Sequence, residues 1–314
     1  MASVISGMAF VRLSVPDLDV MEKFLLDFGM ISVARDERRM YMRGTGPSPY
    51  VHVTEKGPPG IISYGYDVAH RSVLEHLVSE GLAEGIEPLD GPGGGERVVL
   101  REPSGAVMEL VTGRGSLDPI APRSSVRSAD GSSRTSGAAR VRRLSHAATM
   151  TPDPKATLDW YKQRLGLLLT DELYVETQEN LMGQFLRVDR GEELVDHHVI
   201  FVLRGQAAGM HHVSYEVEAV DDIFFGQSHL EINAHDHVRG IGRHALGSQV
   251  FDYWMSPFGQ MHEHWHAFEK MNAQSASNSV KIGSDMAHDT GGRPPERFTT
   301  QSTPFVPRPD HSLA

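Results

Sequence analysis

Residues 249–268, QVFDYWMSPFGQMHEHWHAF, read as two strands joined by a Ser-Pro-x-Gly turn. Residues 98–113, VVLREPSGAVMELVTG, repeat that pattern. The likeness extends outward. Residues 8–30, MAFVRLSVPDLDVMEKFLLDFGM, and residues 143–167, RLSHAATMTPDPKATLDWYKQRLGL, each hold a short apolar strand, a Pro-Asp turn and a helical pattern ending at a glycine, Gly29 or Gly166. Asp17 and Asp153 stand where a helix N-cap belongs. Phe24, Leu25 and Phe28 recur at helical spacing, as do Leu158, Tyr161 and Leu165. IISYGYDVA (61–69) and MHHVSYEVEAV (210–220) form a matching pair of strands, each followed by a helical segment. The chain is therefore expected to be an α+β protein of two modules, each made of paired β-α-β-β-β units.

The modules are expected over residues 1–114 and 141–270, a division that 314 residues can support. Between them, residues 115–140, GSLDPIAPRSSVRSADGSSRTSGAAR, carry almost no large apolar side chain and read as a flexible linker. Arg140, Arg142 and Arg143 at its end read as a solvated run. Residues 271–314 are a polar tail, expected to be irregular and draped over the second module. The net charge of −11 argues against a nucleic-acid partner, because phosphate-backbone binding relies on clustered Lys and Arg. With no cysteine, the chain has no thiolate metal site, disulfide or cysteine nucleophile, and it fits a reducing compartment such as the cytoplasm. No apolar run reaches the roughly 18 residues of a membrane span, and a secretory leader is not expected, because the N-terminus lacks a basic region.

Histidine is the outlier, at 17 residues. In the second module His146 lies on the first strand, His212 on the strand of MHHVSYEV, and Glu263 on the last strand of the closing hairpin. Two histidines and a carboxylate from separate strands make the ligand set of a non-haem Fe(II) site with open positions. So many histidines offer many triplets, and spacing alone does not select this one. The first module provides a comparison. There Phe10 or a neighbour stands opposite His146, Ser63 opposite His212, and Glu109 opposite Glu263, so two of the three ligand types are missing.

Several segments then resemble the type I extradiol dioxygenases of the vicinal oxygen chelate superfamily, over about residues 6–270: His146, HHVIFVL at 197–203, MHHVSYEV at 210–217, and GIGRHALGSQVFDYWMSPFGQMHEHW at 240–265. The last holds His244, Tyr253, Pro257-Phe258-Gly259 and Glu263 in the order of that family. The resemblance implies two modules that each curl into an open barrel-like sheet, the second catalytic and the first without metal. It implies Fe(II), in preference to Mn(II), and O2 as co-substrate. The organic substrate would be a catechol or trihydroxylated aromatic, such as 2,4,5-trihydroxytoluene, cleaved beside the diol in aromatic-compound degradation. A cytoplasmic homo-oligomer goes with that picture.

The resemblance also assigns roles. Tyr253 and His244 hydrogen-bond the bound hydroxylate and take up its proton, and His198 rather than His197 faces the oxygen site, as base and then acid. Strand periodicity agrees. Met261, Glu263 and Trp265 share one face, and His262, His264 and His266 the other. A turn centred on Phe258 pairs Tyr253 with Glu263, and opposed side chains share a face. His212, Ser214 and Glu216 line the cup, which puts His211 on the Val213 side, to support a ligand or to pack rather than to bind metal. The rivals are a glyoxalase-like isomerase, a hydroxyphenylpyruvate-type dioxygenase and a non-catalytic binding protein. The first two have no need of the His244 and Tyr253 pair, and the third has no need of ligands.

Overall fold

The first module runs β1 (Gly7–Val15), α1 (Leu18–Asp27), β2 (Ile31–Arg35), β3 (Arg39–Arg43), β4 (His52–Lys56), then β5 (Gly60–Asp67), α2 (Arg71–Ser79), β6 (Glu87–Pro88), β7 (Glu96–Arg101) and β8 (Val107–Thr112). The second repeats the order with one extra short strand, β12, as β9 (Val141–Thr151), α3 (Pro154–Leu165), β10 (Leu168–Tyr174), β11 (Leu181–Arg187), β12 (Val195–Asp196), β13 (Ile200–Arg204), then β14 (Gly209–Val217), α4 (Val220–Ile232), β15 (Asp236–Arg243), β16 (Val250–Met255) and β17 (Met261–His266). The structure, a computed structural model, describes residues 2–121, 136–267 and 269–309. Residues 122–135 of the expected linker and 310–314 of the tail lie outside the described residues.

Local chemistry sets the helix ends. Asp17 accepts hydrogen bonds from the amides of Asp19 and Val20, and Asp153 from that of Ala156, which satisfies donors that a helix start leaves free. Gly166 ends α3 at φ 66°, a left-handed position that a side chain would strain. Phe24, Leu25, Phe28, Leu158, Tyr161 and Leu165 are all buried, in one continuous core that spans both modules. Gly29 sits where the modules meet, and a Cβ there would come 2.0 Å from the carbonyl oxygen of Ala139.

Both sheets are open and share one plan. Their orders are β2-β3-β4-β1-β5-β8-β7-β6 and β15-β16-β17-β14-β9-β13-β11-β10, and the second adds a tail strand, β19, described below. In each, two units meet through an antiparallel central pair, β1 with β5 and β9 with β14, and β8 and β17 lie parallel beside that pair. The register is equivalent: Phe10 pairs with Gly65 and Gly65 with Glu109, as His146 pairs with Ser214 and Ser214 with Glu263.

The first module fills its cup. The Phe10 ring lies so close to Gly65 that a Cβ there would meet it at 2.7 Å. Arg12, wholly buried, reaches Glu109 at 2.9 Å and Glu55 at 2.7 Å, and Ser63 donates to Glu109 as well. Arg97 binds the second oxygen of Glu109 at 2.6 Å, and Arg308 binds Glu55 at 2.8 Å and Asp90 at 2.6 Å.

Two expectations need correcting. Arg140 and Arg143 are not solvated: Arg140 pairs with the buried Asp222 at 2.7 Å, and Arg143 with Asp196 at 2.7 Å and with Glu216. Arg142 alone of the three is mostly exposed, 3.5 Å from Glu216. The tail is more ordered than a drape. It forms β18 (Lys270–Met271), which pairs with β12, β19 (Asn278–Lys281), parallel to β10, and α5 (Glu296–Thr299). Further along, Thr303 bridges to Met210 in the second module and Phe305 to Ile61 in the first.

Candidate metal centre

The three central strands of the second sheet bring His146, His212 and Glu263 together. Ser214 pairs with His146 on one side and Glu263 on the other, and His212 lies two residues along β14. All three are buried, at 3%, 5% and 1% exposure. His146 Nε2 and His212 Nε2 are 3.4 Å apart, and Glu263 Oε2 lies 3.3 Å from the first and 3.5 Å from the second. Atoms so spaced share a centre about 2.0 Å from each, the usual reach of imidazole and carboxylate to a divalent metal. Among the described residues this is the cluster whose atoms converge in this way. Glu263 Oε2 is buried without a hydrogen-bond partner, which suits a carboxylate shaped for a cation. Burial, with His211, His146 and His244 adding to it against the pull of Glu263, holds His212 well below the usual histidine range. Burial alone would raise Glu263, but His146 and His244 hold it well below the usual carboxylate range. Neutral imidazole and ionised carboxylate are the forms that bind metal.

A cavity of about 330 Å³ opens above this cluster, lined by His146, His198, His212, His244 and Tyr253 among others. Tyr253 pairs with Glu263 across β16 and β17, the register read from the hairpin. Its hydroxyl lies 2.9 Å from His244 Nε2, and burial and Glu263 push its pKa up. His244 Nδ1 donates to Asp289 at 2.9 Å. Burial lowers the His244 pKa, yet Asp289 and Glu263 outweigh it and the net direction is up.

Both His-His pairs are links in hydrogen-bonded chains. With His197 Nε2 donating to the carboxylate of Asp171 at 2.9 Å, its Nδ1 accepts from His198 Nδ1 at 3.0 Å. That leaves the lone pair on His198 Nε2, and burial with His146 and His197 holds His198 well below the usual histidine range. In the same way His211 Nε2 donates to the carbonyl of Phe298 at 2.8 Å and its Nδ1 accepts from His212 Nδ1 at 2.6 Å, so that His212 Nε2 is the free nitrogen facing Glu263. His211 thus supports a ligand rather than acting as one, as expected, but it does not face the Val213 side. A bulge between Met210 and His212 turns it toward the cavity, which it helps line.

Sequence reasoning missed three residues here: Asp289, Phe298 and Asn278, which donates to Asp171 from its side-chain amide at 2.7 Å. All come from the tail, where no periodicity marks them.

Residues 143–261 match the family model described as the Glyoxalase/Bleomycin resistance protein/Dioxygenase superfamily. The chain carries a domain of this superfamily. Metapyrocatechase 2 of Cupriavidus necator is 27% identical to it over 261 residues, 80% of this chain and 78% of that one. Among solved structures, homoprotocatechuate 2,3-dioxygenase from Brevibacterium fuscum, in complex with 3,4-dihydroxyphenylacetate, superposes with a TM-score of 0.81 at 18% identity, covering 98% of this chain and 95% of its own. A Mn(II)-bound glyoxalase from Novosphingobium aromaticivorans gives 0.78 at 22% identity, covering 97% and 96%. The superfamily match spans β9 to the start of β17 and so includes His146 and His212, while Glu263 lies two residues past its end.

Proposed function

We propose that the protein is an Fe(II)-dependent extradiol dioxygenase, which inserts both atoms of O2 into a catechol or trihydroxylated aromatic ring beside the diol. The observation that carries the reading is the convergence of His146 Nε2, His212 Nε2 and Glu263 Oε2 beneath a cavity that also holds His198, His244 and Tyr253. The names of its relatives, catechol-cleaving enzymes, support it. His146, His212 and Glu263 would hold the metal. When bound, the metal would supply Lewis-acid chemistry that lowers the pKa of the diol and would activate oxygen.

The side chains then handle protons. His244 Nε2 takes up the proton released from the diol, the Tyr253 hydroxyl 2.9 Å away hydrogen-bonds the bound oxygen, and Asp289 stabilises the charged His244. His198 Nε2, kept unprotonated by its burial and by the donor role of its Nδ1, faces the cavity as a base and returns a proton to the oxygen side. The first module is the packing partner, its cup closed by Phe10 and Arg12 rather than open to a metal. No helix among the described residues is long and apolar enough to cross a membrane. The lack of cysteine supports a cytoplasmic setting.

Anaerobic reconstitution with Fe(II), then with Mn(II), followed by oxygen uptake on a panel of catechols tests the reading. Oxygen consumption matched by yellow ring-fission product is the expected result, and His146→Ala should lose the metal while keeping its circular dichroism spectrum. Isomerisation of a thiohemiacetal without oxygen uptake would replace this reading with the glyoxalase one, for which the Mn(II)-bound neighbour speaks.

A further inference from the structure

We infer that the diol cleaved here carries an uncharged, apolar substituent and no carboxylate. This inference rests on the ring-cleavage reading above and adds the substrate class to it.

The wall of the cavity beside His198 is apolar. The Phe185 ring lies 4.9 Å from that of His198 and stacks on Phe201 at 3.8 Å, nearly parallel at 8°. Two residues along β13, on the same face as Phe201, Leu203 pairs with Met150 of β9 and lies across from Gly183 of β11. Met182 and Leu173 continue the lining. A substituent that leaves the diol in this direction meets aromatic and aliphatic carbon before it reaches solvent.

A carboxylate would need a cation with charge to spare. Among the described residues two arginines line the cavity, Arg204 and Arg239. Arg239 is buried, sits over the rings of Phe251 and Phe298 at 4.6 and 5.0 Å, and pairs with Asp289 at 3.0 Å. Its Nε has no partner, and its guanidinium is held on that side of the cavity, between the rings of Phe251 and Phe298 and the carboxylate of Asp289. Arg204, the last residue of β13, lines the exposed end of the cavity and donates to Asn180 at 2.7 Å, so its charge stays hydrated rather than enclosed with Phe185 and Phe201. A carboxylate held against Phe185 and Phe201 would lose its hydration without gaining an ion pair, the costly case for burying charge. At about 330 Å³ the cavity is at the small end for ligand sites, which suits one ring with a short side chain.

The test uses the iron-loaded enzyme with catechol, its methyl, ethyl and propyl homologues at either ring position, 3,4-dihydroxybenzoate and 3,4-dihydroxyphenylacetate. Affinity is read by anaerobic titration, and kcat/KM by oxygen uptake. Each added methylene should tighten binding by up to about fourfold, and the carboxylates should bind at least about a hundredfold more weakly than the ethyl compound. Leu203→Arg should reverse that order by placing a cation in the wall. Wild-type enzyme that binds 3,4-dihydroxyphenylacetate as tightly as ethylcatechol would overturn the inference. Failure to turn over any diol, with the affinity order intact, would leave the inference standing and remove the ring-cleavage reading instead.

Discussion

Arg12→Met deletes a buried guanidinium and keeps a side chain of similar length in the first module. Arg12 holds Glu109 at 2.9 Å and Glu55 at 2.7 Å, and neither Arg12 nor Glu55 is exposed. Burial alone would raise the Glu109 pKa, but the charge and hydrogen bond of Arg12, helped by Arg97 and Ser63, bring it from the ordinary 4.5 down to about 2. That depression corresponds to about 3 kcal/mol of stability. Breaking a buried pair from one side costs about 3–5 kcal/mol, because a charge is left behind. Arg97 still serves Glu109 and Arg308 still serves Glu55, so the loss should fall near the lower figure. Urea unfolding followed by circular dichroism at pH 7 gives the number. The sign of the pH dependence follows from a depressed carboxylate: the stabilisation is full above pH 4.5 and is lost as pH falls toward 2, so wild type and variant should converge in acid. Iron content of the folded variant should be unchanged, because Arg12 belongs to the other module. A loss below about 1 kcal/mol, or a gap between the proteins that persists in acid, would refute the reasoning.

The residues proposed as catalytic allow further checks. His198→Gln should retain iron and slow turnover by about 10²–10⁴-fold, while His197→Gln, whose ring touches His198 rather than the cavity, should retain iron and slow it less; wild-type turnover in His197→Gln would show that the Asp171–His197–His198 relay has no effect on rate. Asp289→Asn removes the charge that raises the His244 pKa, so the ionisation of His244 in the pH–rate profile should move to lower pH with iron content unchanged, and a profile that stays in place would remove Asp289 from the site.

Short-range chemistry was readable from the amino-acid order. The caps at Asp17 and Asp153, the buried helical faces and the Tyr253–Glu263 register each depend on neighbours within one helix or hairpin. What escaped has partners far away in the chain. Asp289 lies 45 residues from His244, and Arg140 lies 82 from Asp222. The bulge at His211 escaped because strict alternation cannot show where a strand takes an extra residue. Arg12 did leave a signal, since a charged side chain inside the apolar run AFVRLSV must be paired if the strand is buried.

That arginine bears on the candidate metal site through the repeat. Glu109 and Glu263 hold equivalent places beside the central strand pair, and both are buried carboxylates. A buried carboxylate requires positive charge or several donors. In the first module two guanidinium groups and a hydroxyl supply it. In the second, Ala148 stands in the register position of Arg12, and no arginine or lysine contacts Glu263 among the described residues. Its neighbours there are the Nε2 atoms of His146, His212 and His244, and one of its oxygens has no hydrogen-bond partner. The same fold therefore meets the same electrostatic demand in two ways, with a built-in cation on one side and, on the other, three convergent ligand atoms that a divalent ion would satisfy.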